Sequence, residues 1–288
     1  MLFDYHHHSA FSVDSTAQMD VICAMAIQRG IKEIAFTEHM DFIPEERNTG
    51  YFQYEPYMDE IARCRSIYGD KLVILAAIEI DYCPDLEREI ANWLDGKQFD
   101  FIVGSVHYLR GLGNISEPRA AEFFAGKTAE EAYGVYFDAV LKSARFGIWD
   151  ALGHIDLVKR YGVRPYGAFD DRPFERVLDE IFATVISKGM ALEINTSGLR
   201  QAPRQTYPEE SLLRRYCSLG GARVTIGSDS HTAAHVGAGV AQGIDLLLDA
   251  NLKSILAFRK RRGSSVPIDS LREAPGPETC AKTVNTPS

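Results

Sequence analysis

The chain has 288 residues, 45% hydrophobic and 25% charged, with a formal net charge of −9. One α/β barrel commonly takes about 250 residues, so a single large core is expected, and the acidic balance argues against a surface built to neutralise nucleic-acid phosphates. Its five cysteines show no CxxC spacing and fit free thiols better than a disulfide framework.

In chain order, the opening run LFDY leads into His6, His7 and His8. No basic and then apolar leader precedes it, and no later apolar run reaches the roughly 18 residues of a membrane span, so a cytoplasmic protein is expected. Residues 17–29 put Met19, Ile22, Cys23, Met25 and Ala26 on one face before Gly30, which predicts a helix. A strand over 31–36, a polar loop with Pro44 and Gly50, and a helix over 54–68 follow. The pattern continues with strand 72–80, helix 85–94 and strand 99–106, then loop around Gly111, Gly113 and Pro118. Helix 129–145, strand 149–152, helix 170–187, strand 191–195, helix 209–219 and strand 223–226 come next, and 234–251 closes the last unit. Seven alternating units predict a parallel α/β barrel, because each parallel crossover needs a helix to return the chain. One domain is expected over 1–270, with a weakly ordered tail at 271–288 that has several prolines and no apolar periodicity.

Metal-ligand side chains sit where the apolar runs end. His6 and His8 follow the first run, His39 the second, Glu79 the third, His107 the fourth, His154 the fifth, and Asp229 and His231 the last. In a parallel barrel the loops after the strands meet at one face, so these residues converge and predict a multinuclear metal site. Alternation along a strand lets His6 and His8 share a face while His7 points away, and Asp229 and His231 repeat that spacing. Glu79 ends an otherwise apolar run, where a buried carboxylate is costly unless it faces a cation. Asp14, in a polar loop, reads locally as a helix N-cap. Six of the eight histidines fall at run ends; His7 does not, and His235 reads as capping or surface.

The stretches DYHHHSAFSVD at 4–14, FTEHMDF at 36–42, IEIDY at 78–82, FDFIVGSVHYL at 99–109, DALGHIDLVKRYG at 150–162, LEINTSGLR at 192–200 and VTIGSDSHTAAHVG at 224–237 resemble the PHP (polymerase and histidinol phosphatase) superfamily. Within it they are most similar to the PHP-type histidinol-phosphate phosphatases of histidine biosynthesis. The resemblance implies a distorted seven-stranded TIM-like barrel with three divalent ions, of which zinc, manganese and iron all suit histidine and carboxylate ligands. It assigns a first metal to His6, His8, Glu79 and Asp229, a second to Glu79, His107 and His154, and a third to Asp14, His39 and His231. Histidine often replaces Asp14 in other members of the superfamily, and Ala77 stands where glycine is common. The resemblance also implies contact of Arg160, Arg200 and His231 with the substrate phosphate, and catalytic parts for Glu79, Asp229 and Arg160.

Such a centre acidifies a bridging water toward neutral pKa, and attack of that hydroxide on phosphorus is the expected step. The substrate is then a small phosphate ester, with neither nucleic acid nor membrane as partner. Two other readings are a broader phosphoesterase acting on nucleotides or other esters, and a metal-stabilised binding or regulatory domain. The acidic residues Asp41, Glu45 and Glu46 read equally as solvated carboxylates or as partners of a cationic substrate group, and Tyr161 and Tyr166 as stacking partners or rim packing.

Overall fold

The computed structural model describes residues 2–272. Seven strands form one sheet: β1 (Leu2–His7), β2 (Ile31–Met40), β3 (Val73–Asp81), β4 (Phe101–Ser105), β7 (Ala151–Leu152), β8 (Ala191–Asn195) and β9 (Val224–Gly227), with β5 (Tyr108–Leu109) and β6 (Gly113–Asn114) pairing separately. Every pairing in the seven-stranded sheet is parallel. Beyond β9 a parallel bridge from His7 to Ser230 brings the two edges together, with the His8 N–H donating to the Ser230 carbonyl at 2.9 Å. The expected distorted seven-stranded barrel is thus observed.

The crossovers run through α1 (Met19–Gln28), α2 (Tyr54–Tyr68), α3 (Glu87–Leu94), α4 (Ala120–Phe124), α5 (Ala129–Phe146), α6 (Lys159–Tyr166), α7 (Glu175–Lys188), α8 (Glu210–Ser218) and α9 (Val240–Asp249). Helix α5 shows how local chemistry sets the boundaries. Thr128 and Glu131 form a reciprocal capping box at its start, and Gly147 ends it in the left-handed region at φ 60°. Trp149 then packs so closely over β4 that a Cβ at Gly104 would meet its ring at 2.3 Å. Helices α4 and α6 and the small β5–β6 pair fall where only loop is expected, and the helix expected over 234–251 is a short turn at Ala233–His235 followed by α9.

A further departure closes the other end of the barrel. Residues after α9 form an antiparallel hairpin of β10 (Ser254–Arg259) and β11 (Arg262–Pro267), followed by α10 (Asp269–Arg272). Phe258 packs 4.8 Å from the ring of Phe101 and 6.5 Å from that of Tyr5, so the hairpin plugs the end at which the strands begin. Of the expected tail, Leu271 and Arg272 belong to α10 and the rest lies outside the described residues. No helix among the described residues is long and apolar enough to cross a membrane, and the described cysteines, Cys23, Cys64, Cys83 and Cys217, are free.

One irregularity matters for the site. The β1–β2 register advances from Asp4↔Ile34 to His7↔Phe36, so β1 carries an extra residue. The bulge lets Tyr5 meet Phe101 at the plugged end while the next residue, His6, reaches the centre at the open end. It also brings Asp4 Oδ2 to 2.7 Å from His7 Nε2, although side chains three apart on a regular strand lie on opposite faces.

Candidate metal centre

All nine expected ligands meet at the end of the barrel where the strands finish. His6 lies near the end of β1 and His8 just past it; His39 lies on β2, Glu79 on β3, and Asp229 and His231 shortly after β9. Strand β2 runs farther than expected, because its pairing with β3 continues through His39↔Glu79 to Met40↔Ile80. Asp229 adopts a left-handed backbone at φ 51°, which aspartate tolerates better than most residues.

Glu79 is the hub. One oxygen, Oε2, lies 3.0 Å from His39 Nδ1, 3.4 Å from His6 Nε2 and 3.5 Å from His8 Nε2. The other, Oε1, lies 2.9 Å from His154 Nε2 and 3.6 Å from His107 Nε2, and accepts a hydrogen bond from Ser105 Oγ at 2.6 Å. Asp229 Oδ1 is 3.5 Å from both His8 Nε2 and His231 Nδ1. Asp14 Oδ2 bridges His231 Nε2 at 3.1 Å and His39 Nε2 at 3.4 Å, so Asp14 faces the centre and caps no helix.

Four overlapping donor groups result: His6–His8–Asp229, His6–Glu79–His154, His39–Glu79–His107, and His8–Asp14–His39–His231. The last group adds His8 to the three residues expected at the third metal. Its ring stacks between His39 at 4.1 Å and His231 at 4.2 Å.

The donor set fits divalent ions. Ligands about 2.0–2.1 Å from a tetrahedral ion stand roughly 3.3–3.4 Å apart, which lies within the range of separations just given. Glu79 Oε2 is buried with no hydrogen-bond partner. Two pairs of imidazole nitrogens, His6 Nε2 with His8 Nε2 and His107 Nε2 with His154 Nε2, face each other at 3.1 Å. Neutral rings that present lone pairs to one another in this way repel unless a cation lies between them.

The electrostatics point the same way. Burial by itself raises the carboxyl pKa of Glu79, but the surrounding histidines, His6 foremost, hold it well below its usual value. Asp229 is lowered likewise against its burial, chiefly by His6 and His8. His107 is pushed down to about 3 by burial, outweighing Glu79. Against their burial, nearby carboxylates raise the pKa of His6, His39, His154 and His231, whereas His107 is kept neutral, so the carboxylates draw positive charge onto this end of the barrel.

Beyond the donors, Arg160 and Arg200 line the same cavity of about 480 Å³, together with Tyr161 and His235. Arg160 stands in the first turn of α6, where a loop was expected. The carbonyls of Ala238, Ser228 and Asp229 orient the Arg200 guanidinium at 3.2, 2.7 and 3.3 Å. Tyr166 donates to the carbonyls of Phe124 and Lys127 and packs on the rim. Asp41 is buried, which removes the solvated reading for it, and its carboxyl is raised to about 6 by burial. Glu45 is exposed, and Glu46 accepts from Asn114 Nδ2 at 2.9 Å.

Sequence reasoning missed the layer behind the donors. Glu193, on β8, accepts from His6 Nδ1 at 2.5 Å and from the His154 N–H at 2.8 Å. Glu38 accepts from Ser12 Oγ at 2.6 Å, and Ser12 in turn lies 3.2 Å from His8 Nδ1. Asp81 accepts the His107 N–H at 2.7 Å. The signal that singled out Glu79, a carboxylate in an apolar strand, is present in LEIN at 192–195 as well.

A family model described as PHP domain matches residues 4–197. The histidinol-phosphatase of Lactococcus lactis subsp. lactis is 32% identical over 256 residues, covering 88% of this chain and 93% of that protein. A probable histidinol-phosphatase of Clostridium acetobutylicum is 29% identical over 267 residues, covering 91% and 98%. The crystal structure of the Lactococcus lactis histidinol phosphate phosphatase, complexed with zinc, L-histidinol and phosphate, matches with a TM-score of 0.82 at 29% identity, over 91% of this chain and 98% of that one. A putative histidinol phosphatase from Listeria monocytogenes shares the fold, with a TM-score of 0.73 at 24% identity over 83% and 99%.

Proposed function

The chain belongs to the PHP domain family, and from that premise we propose that its open barrel mouth hydrolyses L-histidinol phosphate to L-histidinol and phosphate. It is a phosphoric monoester hydrolase. The observation that carries the reading is the shared cavity, in which the donors around Glu79 and the guanidinium-bearing Arg160 and Arg200 face one space.

In this reading the nine donors would hold three divalent ions: His6, His8, Glu79 and Asp229 the first, Glu79, His107 and His154 the second, and Asp14, His39 and His231 the third. The observed donor groups contain His6–His8–Asp229 and Asp14–His39–His231 whole, while Glu79 groups with His154 beside His6 and with His107 beside His39. When bound, such ions supply Lewis acidity toward phosphoryl oxygens and lower the pKa of water to near neutrality. The chain's own residues supply the rest. Arg160 binds non-bridging phosphate oxygens through the parallel donors of its guanidinium, and Arg200 adds its charge and the N–H groups that the carbonyls leave free. Anchoring by three carbonyls means Arg200 gives up little freedom when phosphate arrives. Asp229 and His231 line the same cavity as the two arginines, where each can hold a proton or contact a phosphate oxygen.

Phosphate release from L-histidinol phosphate tests the assignment, set beside a nucleoside monophosphate and an aryl phosphate, with protein of measured metal content. A strong preference for histidinol phosphate is expected. Turnover of the other esters alone would reject the substrate and keep the phosphatase.

A further inference from the structure

Glu193 has only 2% of its surface exposed, yet neither the expected donor set nor the phosphate clamp uses it. Both of its oxygens are engaged. Oε1 accepts from His6 Nδ1 at 2.5 Å, and Oε2 accepts from the backbone N–H of His154 at 2.8 Å and from Asn195 Nδ2 at 3.4 Å. The strands beside β8 leave room for it. A Cβ at Gly227 would come within 3.1 Å of Glu193 Oε1 and 2.3 Å of the His6 Cβ, and one at Gly153 within 3.4 Å of Glu193 Oε2.

We propose that Glu193 is a positioning residue for the metal centre: by accepting the Nδ1 proton of His6 it fixes the tautomer that presents Nε2 to the ions, and by holding the His154 N–H it sets the second ligand strand in register with the first. This rests on the reading that His6 and His154 are ligands. Carboxylates behind ligand histidines fix ring orientation and raise ligand basicity, and their loss typically costs about 10–100-fold in metal affinity.

A neighbouring arrangement shows what is particular here. Behind His8 the chain inserts a hydroxyl, since Ser12 Oγ donates to Glu38 and so can accept from His8 Nδ1 at 3.2 Å and from the His39 N–H at 3.0 Å. His6 instead meets a carboxylate directly. Because Glu193 faces donors with both oxygens, a glutamine there must turn its own NH₂ toward the His6 N–H or the His154 N–H. Glu193→Gln is therefore nearly isosteric in shape and opposed in hydrogen bonding.

The test is zinc competition against a chromogenic chelator on the zinc-loaded wild type and Glu193→Gln, with circular dichroism reporting the fold. A folded variant whose weakest-held zinc binds about 10–100-fold less tightly is the expected result. Unchanged zinc affinity in the folded variant overturns the proposal. Where the variant does not fold, the imidazole ¹⁵N spectrum of the wild-type zinc protein decides. His6 is expected to carry its proton on Nδ1, and a protonated Nε2 on His6 overturns the proposal. Neither readout depends on histidinol phosphate, so failure of the substrate assignment leaves this inference standing, and the converse also holds.

Discussion

At the plugged end of the barrel the carboxylates are closed by guanidinium groups: Glu33 takes two contacts from Arg259 at 2.5 and 2.6 Å, Asp100 meets Arg65 at 2.7 Å, and Asp150 meets Arg261 at 3.1 Å. At the open end, Glu79, Asp229 and Asp14 face imidazoles. Guanidinium carries its charge at any accessible pH, so the plugged end is neutralised by the chain itself. Imidazole is neutral or charged according to its surroundings, so at the open end the positive charge that these carboxylates draw onto the rings can give way to a cation. Similar carboxylates thus serve stability at one end and complete donor groups able to bind metal at the other.

The largest effect should follow from breaking the open end at its hub. Glu79→Gln removes a charge that five histidines surround. It should release metal and lower kcat by about a thousandfold or more, corresponding to several kcal/mol of lost stabilisation at the reacting centre. Metal analysis alongside steady-state kinetics checks this; normal metal content with normal turnover would remove Glu79 as a bridge.

A smaller loss is expected at the cavity wall. Arg160→Ala should reduce kcat/KM about 10- to 100-fold, as for a charge-assisted contact of roughly 1.5–3 kcal/mol, while metal content holds. Unchanged kcat and KM would take Arg160 out of the phosphate clamp.

The plugged end should answer in stability alone. Arg259→Ala leaves Glu33, buried on the barrel floor, without its guanidinium, although Tyr5 still donates to it. Arg259 is itself half exposed, so a loss of about 1–3 kcal/mol in unfolding free energy is expected, with kcat/KM unchanged. Denaturant unfolding of the loaded protein measures it. A fall in kcat/KM at full metal occupancy would show that the two ends are not independent.

These contrasts also mark what could be read from the residues in advance. The gathering of the donors was legible because metal chemistry demands a few residue types and a parallel sheet brings strand ends to one face. The hairpin was not legible. Its turn residues Lys260 and Arg261 both take positive φ, 48° and 64°, where asparagine or glycine is the usual signal. Contacts elsewhere hold that turn: the Arg261 N–H donates to the Asp100 carbonyl and its side chain reaches Asp150. Helix α6 was hidden by Gly162 and Pro165, which argue locally against helix. A buried Lys159, bound to Asp156 at 2.6 Å and to the Thr206 carbonyl at 3.1 Å, fastens its start and places Arg160 beside it.

From its sequence alone, this chain determines the alternation of strand and helix, the parallel barrel that follows, and the residue types gathered at one end. Those depend on local periodicity and on ligand chemistry, both written residue by residue. Only the tertiary structure decided that the floor is plugged by a hairpin, that His8 adjoins the Asp14 group, and that Glu193 stands behind His6. These are meetings across the barrel, in the last case between residues 187 positions apart, and two positions so far apart carry no shared local pattern before the chain folds.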